Sequence, residues 1–248
     1  MILNKDIIII DTETTSPDPE TCGVVEVAAV RLSAEDLSVI DQLEYLVDPE
    51  CDIDPGASAV HHLTREILAR EGARPWNDEA GPALAEFVGG EPLCAHNAEF
   101  DRVALPAAYA PWLCTLRLSR HLWPRLKSHG LQYMRYHFGL QVDTGPLAPH
   151  RAMADVLVLA EFLRLAIAEY KAQQQIEEEP IDVFELIRFA QLPISVQVFP
   201  FGKHRGTLIE DVPRDYIQWA LNNIQDMDQD LRHTLQVRLG QHVSARMF

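Results

Sequence analysis

The chain has 248 residues, 47% of them hydrophobic, with 37 acidic against 21 basic side chains and a formal net charge of −16; that length supports one sizeable core plus a small appendage. No apolar run reaches membrane-span length and the segment after Met1 lacks a charged, apolar leader, so a cytoplasmic protein without a membrane partner is expected. The charge excludes a generic nucleic-acid-coating protein, and four cysteines without a CxxC pair (Cys22, Cys51, Cys94, Cys114) point to reduced thiols rather than a disulfide framework.

Ile7-Ile8-Ile9-Ile10 reads as a strand buried on both faces. Asp11 and Glu13 follow at i and i+2, which directs both to one side of the strand's end. Residues 24–32 and Val39 to Val47 read as the next two strands, joined by a short Ser33–Asp36 connection that makes them antiparallel. A loop then carries Pro55-Gly56-Ala57 to His61-His62-Leu63, and Thr64 caps a short helix. A helix is expected from Asn77 to Val88, ended by Gly89-Gly90, then a short strand over 92–95 and a helix opened by His96-Asn97-Ala98-Glu99-Phe100-Asp101.

Trp112 to Thr115 is expected as the fifth strand. From Arg102 to Val142 there is no acid, while Arg102, Arg117, Arg120, Arg125, Lys127 and Arg135 all fall there. Such a run is either a face that holds a polyanion or an ordinary solvated surface. Helices broken near Pro124 and Gly130 are expected across it, then a Gly145-Pro146 loop and a long helix from about Arg151 to Tyr170. The polar stretch 173–180 reads as a linker between a domain over 1–172 and a small module over 181–248. The module is expected to hold an amphipathic helix (181–192), a basic loop (Phe199–Gly206) and two short helices around 215–223 and 228–239. The whole predicts a mixed α/β sheet with helices on its faces.

Carboxylates drawn from separate elements are the usual way to hold Mg²⁺ or Mn²⁺. Asp11 and Glu13 end the first strand, Asp101 lies in a helix after another strand, and Asp155 lies in the long helix, with His150 five positions before it. Four acids and one imidazole suit a two-metal phosphodiester hydrolysis in which the imidazole takes the proton of water. Taken singly, each has a plainer reading: solvated acids, helix caps at Asn97 and Asp101, a loop histidine, a helix-dipole partner at Asp155. Together, in this order, the functional reading prevails.

Asp11-Thr12-Glu13-Thr14-Thr15, His96-Asn97-Ala98-Glu99-Phe100-Asp101 and His150-Arg151-Ala152-Met153-Ala154-Asp155 resemble the three motifs of the DEDDh 3′→5′ exonucleases. Val60-His61-His62-Leu63-Thr64 is similar to that family's additional loop motif, and the resemblance covers about residues 5–170. It implies a ribonuclease-H-like mixed five-stranded sheet flanked by helices, and two Mg²⁺ or Mn²⁺ ions held by Asp11, Glu13, Asp101 and Asp155, with His150 as general base. By the same carry-over Thr12, Thr14, His61, His96 and Asn97 contact substrate. Ser16-Pro17 stands where the family usually has Gly, which leaves the local turn open, and Met153 replaces a frequent Leu.

Within the family, Cys114 to Pro124 and the tail Phe199–Gly206 with Trp219 and Asn222-Asn223 resemble the bacterial exonuclease X group. This implies DNA as substrate, single-stranded or at the 3′ ends of duplex, with release of 5′-mononucleotides in repair or degradation. An RNA-trimming enzyme of the same family and a catalytically silent nucleic-acid-binding module are the alternatives. Arg120 and Arg125 are assigned to the phosphates of the strand, as are Lys203 and Arg205, whose loop could equally be a structural turn. Gln191-Leu192-Pro193-Ile194 is similar to sliding-clamp peptides but too short, so clamp binding is disfavoured; a homodimer is left open.

Overall fold

The computed structural model describes residues 1–105, 111–145 and 150–241, so Pro146 of the expected Gly145-Pro146 loop lies outside the described residues. β1 (Ile7–Thr14) is central: it runs antiparallel to β2 (Val24–Leu32) and parallel to a short strand over Leu93–Ala95. Ile7 and Ile9 face one core cluster and Ile8 and Ile10 the other, all four at 0% exposure. A continuous apolar run is what a strand covered on both faces requires.

β3 (Val39–Asp48) pairs antiparallel with β2, and β4 (Arg74–Pro75) adds two residues in parallel on β3. With β5 (Leu93–Ala95) and β6 (Trp112–Cys114) the sheet order is β4-β3-β2-β1-β5-β6, six strands rather than the expected five. β4 escapes a sequence reading because two residues, one of them proline, carry no periodicity.

α1 (Pro55–His61) occupies what the sequence presents as loop. Asp54 accepts a hydrogen bond from the Gly56 N–H and Pro55 stands in the first turn, so the caps outweigh Gly56. α2 (Arg65–Arg70) starts at the expected Thr64 cap, and α3 (Ala80–Val88) ends at Gly89 with φ +56. α4 (Ala98–Ala104) follows β5; α5 (Thr115–Leu122) and α6 (Leu131–His137) flank the expected breaks.

α7 (Ala152–Gln174) packs on β1 and β2 and runs into the segment read as linker, ending at Gln175 in the left-handed region. α8 (Val183–Gln191) does not belong with the C-terminal cluster. Val183, Leu186, Ile187 and Ala190 are buried in the same core as Ile7, Ile9 and α7, and Ile181 bridges to Leu3. A separate small core begins at Phe199, with Ile209, Val212, Ile217, Leu231 and Leu235, around α9 (Arg214–Asn223) and α10 (Gln229–Leu239).

One guanidinium closes the seam between the two cores. Arg117 of α5 donates to Asp230 of α10 through Nη1 (2.9 Å) and Nη2 (3.2 Å), and to the carbonyls of Ala190 and Leu192. Asp230 also accepts from the Ile194 N–H at 2.9 Å. Arg117 is therefore a structural residue, not a phosphate contact. The Gln191–Ile194 backbone is engaged in the same seam: the Leu192 carbonyl also faces His121, and Ile194 is buried. Replacing Arg117 by Ala leaves Asp230 enclosed without its cation and is expected to cost about 3–5 kcal/mol. Limited proteolysis should then cut within 192–198 under conditions that leave the wild type intact; an unchanged cleavage pattern would contradict this role.

Candidate active site

The sheet positions the acids. β1 leaves the two-sided core after Ile10, and Asp11 and Glu13 project to one side at its end. The first turn of α7 brings Asp155 to the same place, and one carboxylate oxygen from each of Asp11, Glu13 and Asp155 lies within 4.8 Å of the others. Asp101 of α4, 3% exposed, stands behind this trio, with its Oδ1 accepting from Thr12 Oγ1 at 2.8 Å.

Burial pushes every one of these groups upward, and the neighbouring carboxylates push Asp11 and Glu13 further. Burial raises Asp11 well above the usual carboxylate range, reinforced by the charges of Asp101, Glu13 and Asp155. Glu13 rises to about 8 through burial and Asp155, and Asp101 to about 7 through burial. Asp155 is raised by burial, against the pull of Gln132 and His150. All the converging donors are hard oxygens, and their repulsion is what a divalent cation relieves. Mg²⁺ or Mn²⁺ fits this donor set.

Asp155 is held from two sides: Gln132 Nε2 donates to Oδ1 at 2.5 Å and the His150 N–H to Oδ2 at 3.2 Å. His150 has φ +63, and its imidazole is half exposed with Nδ1 3.9 Å from Asp155 Oδ2. A left-handed non-glycine residue at such a site marks a conformation that the surroundings impose.

Two residues that the sequence reading passed over set this geometry. Strand register places Glu26 opposite Glu13, and it is fully buried. Its carboxylate accepts from Arg151 Nε (3.0 and 3.1 Å), from Arg151 Nη2 (2.6 Å) and from the Ala152 N–H (3.0 Å). A carboxylate at the amino end of α7 suits the helix dipole and ties that end to β2. The signal was a lone Glu within Val24-Val25-Glu26-Val27 and an Arg directly after His150, since an acid inside a buried strand requires a cation.

The residues expected to touch substrate divide. The Thr12 hydroxyl is committed to Asp101, and Thr14 Oγ1 donates to the Ser16 carbonyl at 2.9 Å. Ser16 is not in the left-handed region, so the turn needs no glycine there; Thr15 ties it instead through both backbone and side chain to Gly23. His61 corrects an expectation. It is buried, its Nδ1 accepts from the Leu63 N–H (3.0 Å), and its Nε2–H is therefore left to donate to the Thr14 carbonyl (3.2 Å). No ring nitrogen remains for a substrate, and His61 is a strut beneath the end of β1. His96 contacts Thr115 Oγ1 at 3.0 Å, and burial lowers it to about 4, which keeps it neutral.

Asn97 is exposed at φ +70 and makes no capping bond; with Arg120 it lines a cavity of about 660 Å³. Within the basic stretch Arg102 pairs with Glu99, Arg117 with Asp230, and Arg135 with the Val142 carbonyl. Among the described residues Arg120, Arg125 and Lys127 keep no ion pair or hydrogen bond. Arg125 lines a different cavity, of about 700 Å³, against the C-terminal cluster. Lys203 and Arg205 lie around a 3₁₀ turn (Gly202–His204) of that cluster, with no ion pair or hydrogen bond to the carboxylates among the described residues.

A family model described as Exonuclease (RNase_T) matches residues 8–163. Exodeoxyribonuclease 10 of Escherichia coli strain K12 is 34% identical over 226 residues, covering 88% of this chain and 94% of that one. The solved structure of exonuclease X in complex with 5′ overhanging duplex DNA is 30% identical, with a TM-score of 0.58 over 73% of this chain and 99% of that one. The nuclease domain of 3′hExo, a DEDDh family member bound to rAMP, shares the fold at 18% identity and a TM-score of 0.53, covering 68% of this chain and 92% of that one.

Two expectations arise from the site. In metal-free protein, carboxyls raised from ordinary values of 3.8 and 4.5 to about 7 and about 8 bind more protons folded than unfolded. Their contribution to stability is then fully present below the ordinary values and is lost as pH rises through about 7 and 8. Melting in EDTA should show this decline, and Mg²⁺ or Mn²⁺ should offset it increasingly at higher pH; a metal-free melting temperature that rises over that window would contradict it. Secondly, Arg151→Lys keeps the charge but loses the fork, and should weaken Mn²⁺ binding by about tenfold in calorimetric titration. Unchanged affinity would detach the Glu26–Arg151 pair from the site.

Proposed function

The chain belongs to the RNase_T exonuclease family, of DEDDh type, and from that premise we propose that it is a metal-dependent 3′→5′ exonuclease releasing 5′-mononucleotides from DNA. The convergence of Asp11, Glu13 and Asp155 within 4.8 Å carries this reading. Asp11, Glu13 and Asp155 would hold a divalent cation, and Asp101, kept in place by Thr12, would support a second beside Asp11. Such ions supply a water of lowered pKa and charge neutralisation at a phosphate.

The chain's own residues do the rest. Gln132 and the His150 backbone orient Asp155, and Glu26 with Arg151 holds the amino end of α7 against β2. The His150 imidazole stands half in solvent beside the carboxylates, where it can take a proton from water at the mouth of the site. Arg120, Arg125 and Lys127, unpaired among the described residues, would meet the phosphates of the strand. DNA as substrate is supported by the duplex DNA in the exonuclease X complex and by the exodeoxyribonuclease relative.

End-labelled DNA and RNA strands, each labelled at one end in turn and incubated with Mg²⁺ or Mn²⁺, test this directly. Stepwise loss from the 3′ end of DNA is expected. His150→Ala should lower kcat by about 10²–10⁴-fold while Mn²⁺ affinity holds. Digestion from the 5′ end, digestion of RNA alone, or a fully active His150→Ala would overturn the corresponding part.

A further inference from the structure

The C-terminal cluster carries a feature that the carboxylate site does not use. Ring contacts run from its buried centre to its surface: Phe199 meets Tyr216 at 5.6 Å between centroids, and Tyr216 meets His204 at 4.5 Å and Trp219 at 5.3 Å. The series ends in water. Trp219 is 50% exposed on α9, while its neighbours Ile217 and Ala220 fill the small core. The core closes without the outer half of that indole.

A basic turn meets this series through His204, which contacts Tyr216. Gly202 has φ +63, and a Cβ there would come within 2.9 Å of the Tyr216 hydroxyl, so the 3₁₀ turn lies close against the tip of that side chain. Lys203 and Arg205 flank His204 on that turn, both exposed, with no side-chain hydrogen bond or ion pair among the described residues. Other arginines of the cluster are spent on carbonyls: Arg214 on Leu239, Arg232 on Ile224, Arg238 on Glu210. The Arg117–Asp230 pair anchors the cluster to α5, the helix that also carries Arg120.

An exposed indole, joined through Tyr216 and His204 to a turn whose cations are unpaired among the described residues, fits one class of partner well. Bases offer a π-face to stack and their backbone a phosphate on either side, and each such stack is worth about 1–3 kcal/mol. Resting on the nuclease reading above, we propose that the C-terminal cluster is a second nucleic-acid contact, in which an unpaired base stacks on Trp219 while neighbouring phosphates meet Lys203 and Arg205. The strand is then gripped at two places on one body, at the carboxylates and at this patch.

Fluorescence polarisation of a labelled oligo(dT) bound to the full chain, with Ca²⁺ replacing Mg²⁺ and salt varied, tests this. Trp219→Ala should weaken binding by about tenfold or more. The double variant Lys203→Ala/Arg205→Ala should lower the slope of log K against log salt by about 1.4, the share of two phosphate contacts on a single strand. Both variants are checked for folding by circular dichroism; should Trp219→Ala fail to fold, the double variant on the exposed turn decides. Wild-type affinity and salt slope in folded variants would overturn the patch. Nucleotide release by the wild type in Mg²⁺ is read separately: if it persists while the variants bind normally, only the patch falls. A wild type that neither binds nor cleaves removes both readings.

Discussion

Like charges enclosed at the end of a buried strand are the constraint on which the rest of the structure depends. Asp11, Glu13 and Asp155 crowd together with Asp101 behind them, and each carboxyl is driven upward by burial. Without a cation the folded chain can keep them together only by retaining protons. The arrangement therefore costs stability at neutral pH, and the surrounding fold has to impose it. Two-sided burial of Ile7 to Ile10 does much of that, because a central strand with both faces packed cannot retreat from the site it ends in.

The remaining control lies in how α7 begins. Asp155 belongs to the first turn of a long helix, at the end of its apolar contacts with the sheet, so the position of that turn needs an anchor of its own. Glu26 supplies it by binding both Arg151 and the Ala152 N–H from the strand opposite Glu13. One buried carboxylate thus sets the distance between the two elements that supply ligands. Its partner also compensates a charge that would otherwise add to the repulsion: Arg151 is the group that lowers Glu13. His61 acts similarly on the other side, where its neutral ring links the Leu63 N–H to the Thr14 carbonyl.

The elements legible in the sequence were those with periodicity or caps. The isoleucine strand, the Thr64 cap, the Gly89 stop and the breaks around α6 all read directly. β4 did not, because backbone pairing of two residues leaves no side-chain pattern, and α1 did not, because Gly56 obscured a helix that Asp54 and Pro55 begin. At the site, acids ordered along the chain pointed to the cluster, whereas Glu26 signalled only the need for a cation and Gln132 signalled nothing. Glu26 and Gln132 act through position in three dimensions, 126 and 23 residues from the groups they hold. The boundary of the C-terminal cluster was hidden for a similar reason: polar residues at 173–180 resemble a linker, yet the apolar face of α8 beyond them completes the main core.

Charge counting has the same limit. The acid-free stretch from Arg102 to Val142 presents six cations that the sequence cannot tell apart. In the fold, Arg117 is consumed by Asp230 and two carbonyls, Arg102 by Glu99, and Arg135 by a carbonyl. A guanidinium with five donors satisfies orphaned carbonyls at a seam as readily as it meets a phosphate. What separates the two uses is whether a carboxylate or carbonyl already fills the fork. Among the described residues Arg120, Arg125 and Lys127 are left unfilled, with charge to spare, and the same criterion sets Lys203 and Arg205 apart from the other basic residues of the C-terminal cluster. An acidic chain can thus hold a polyanion with few cations, provided that its fold leaves those few unpaired.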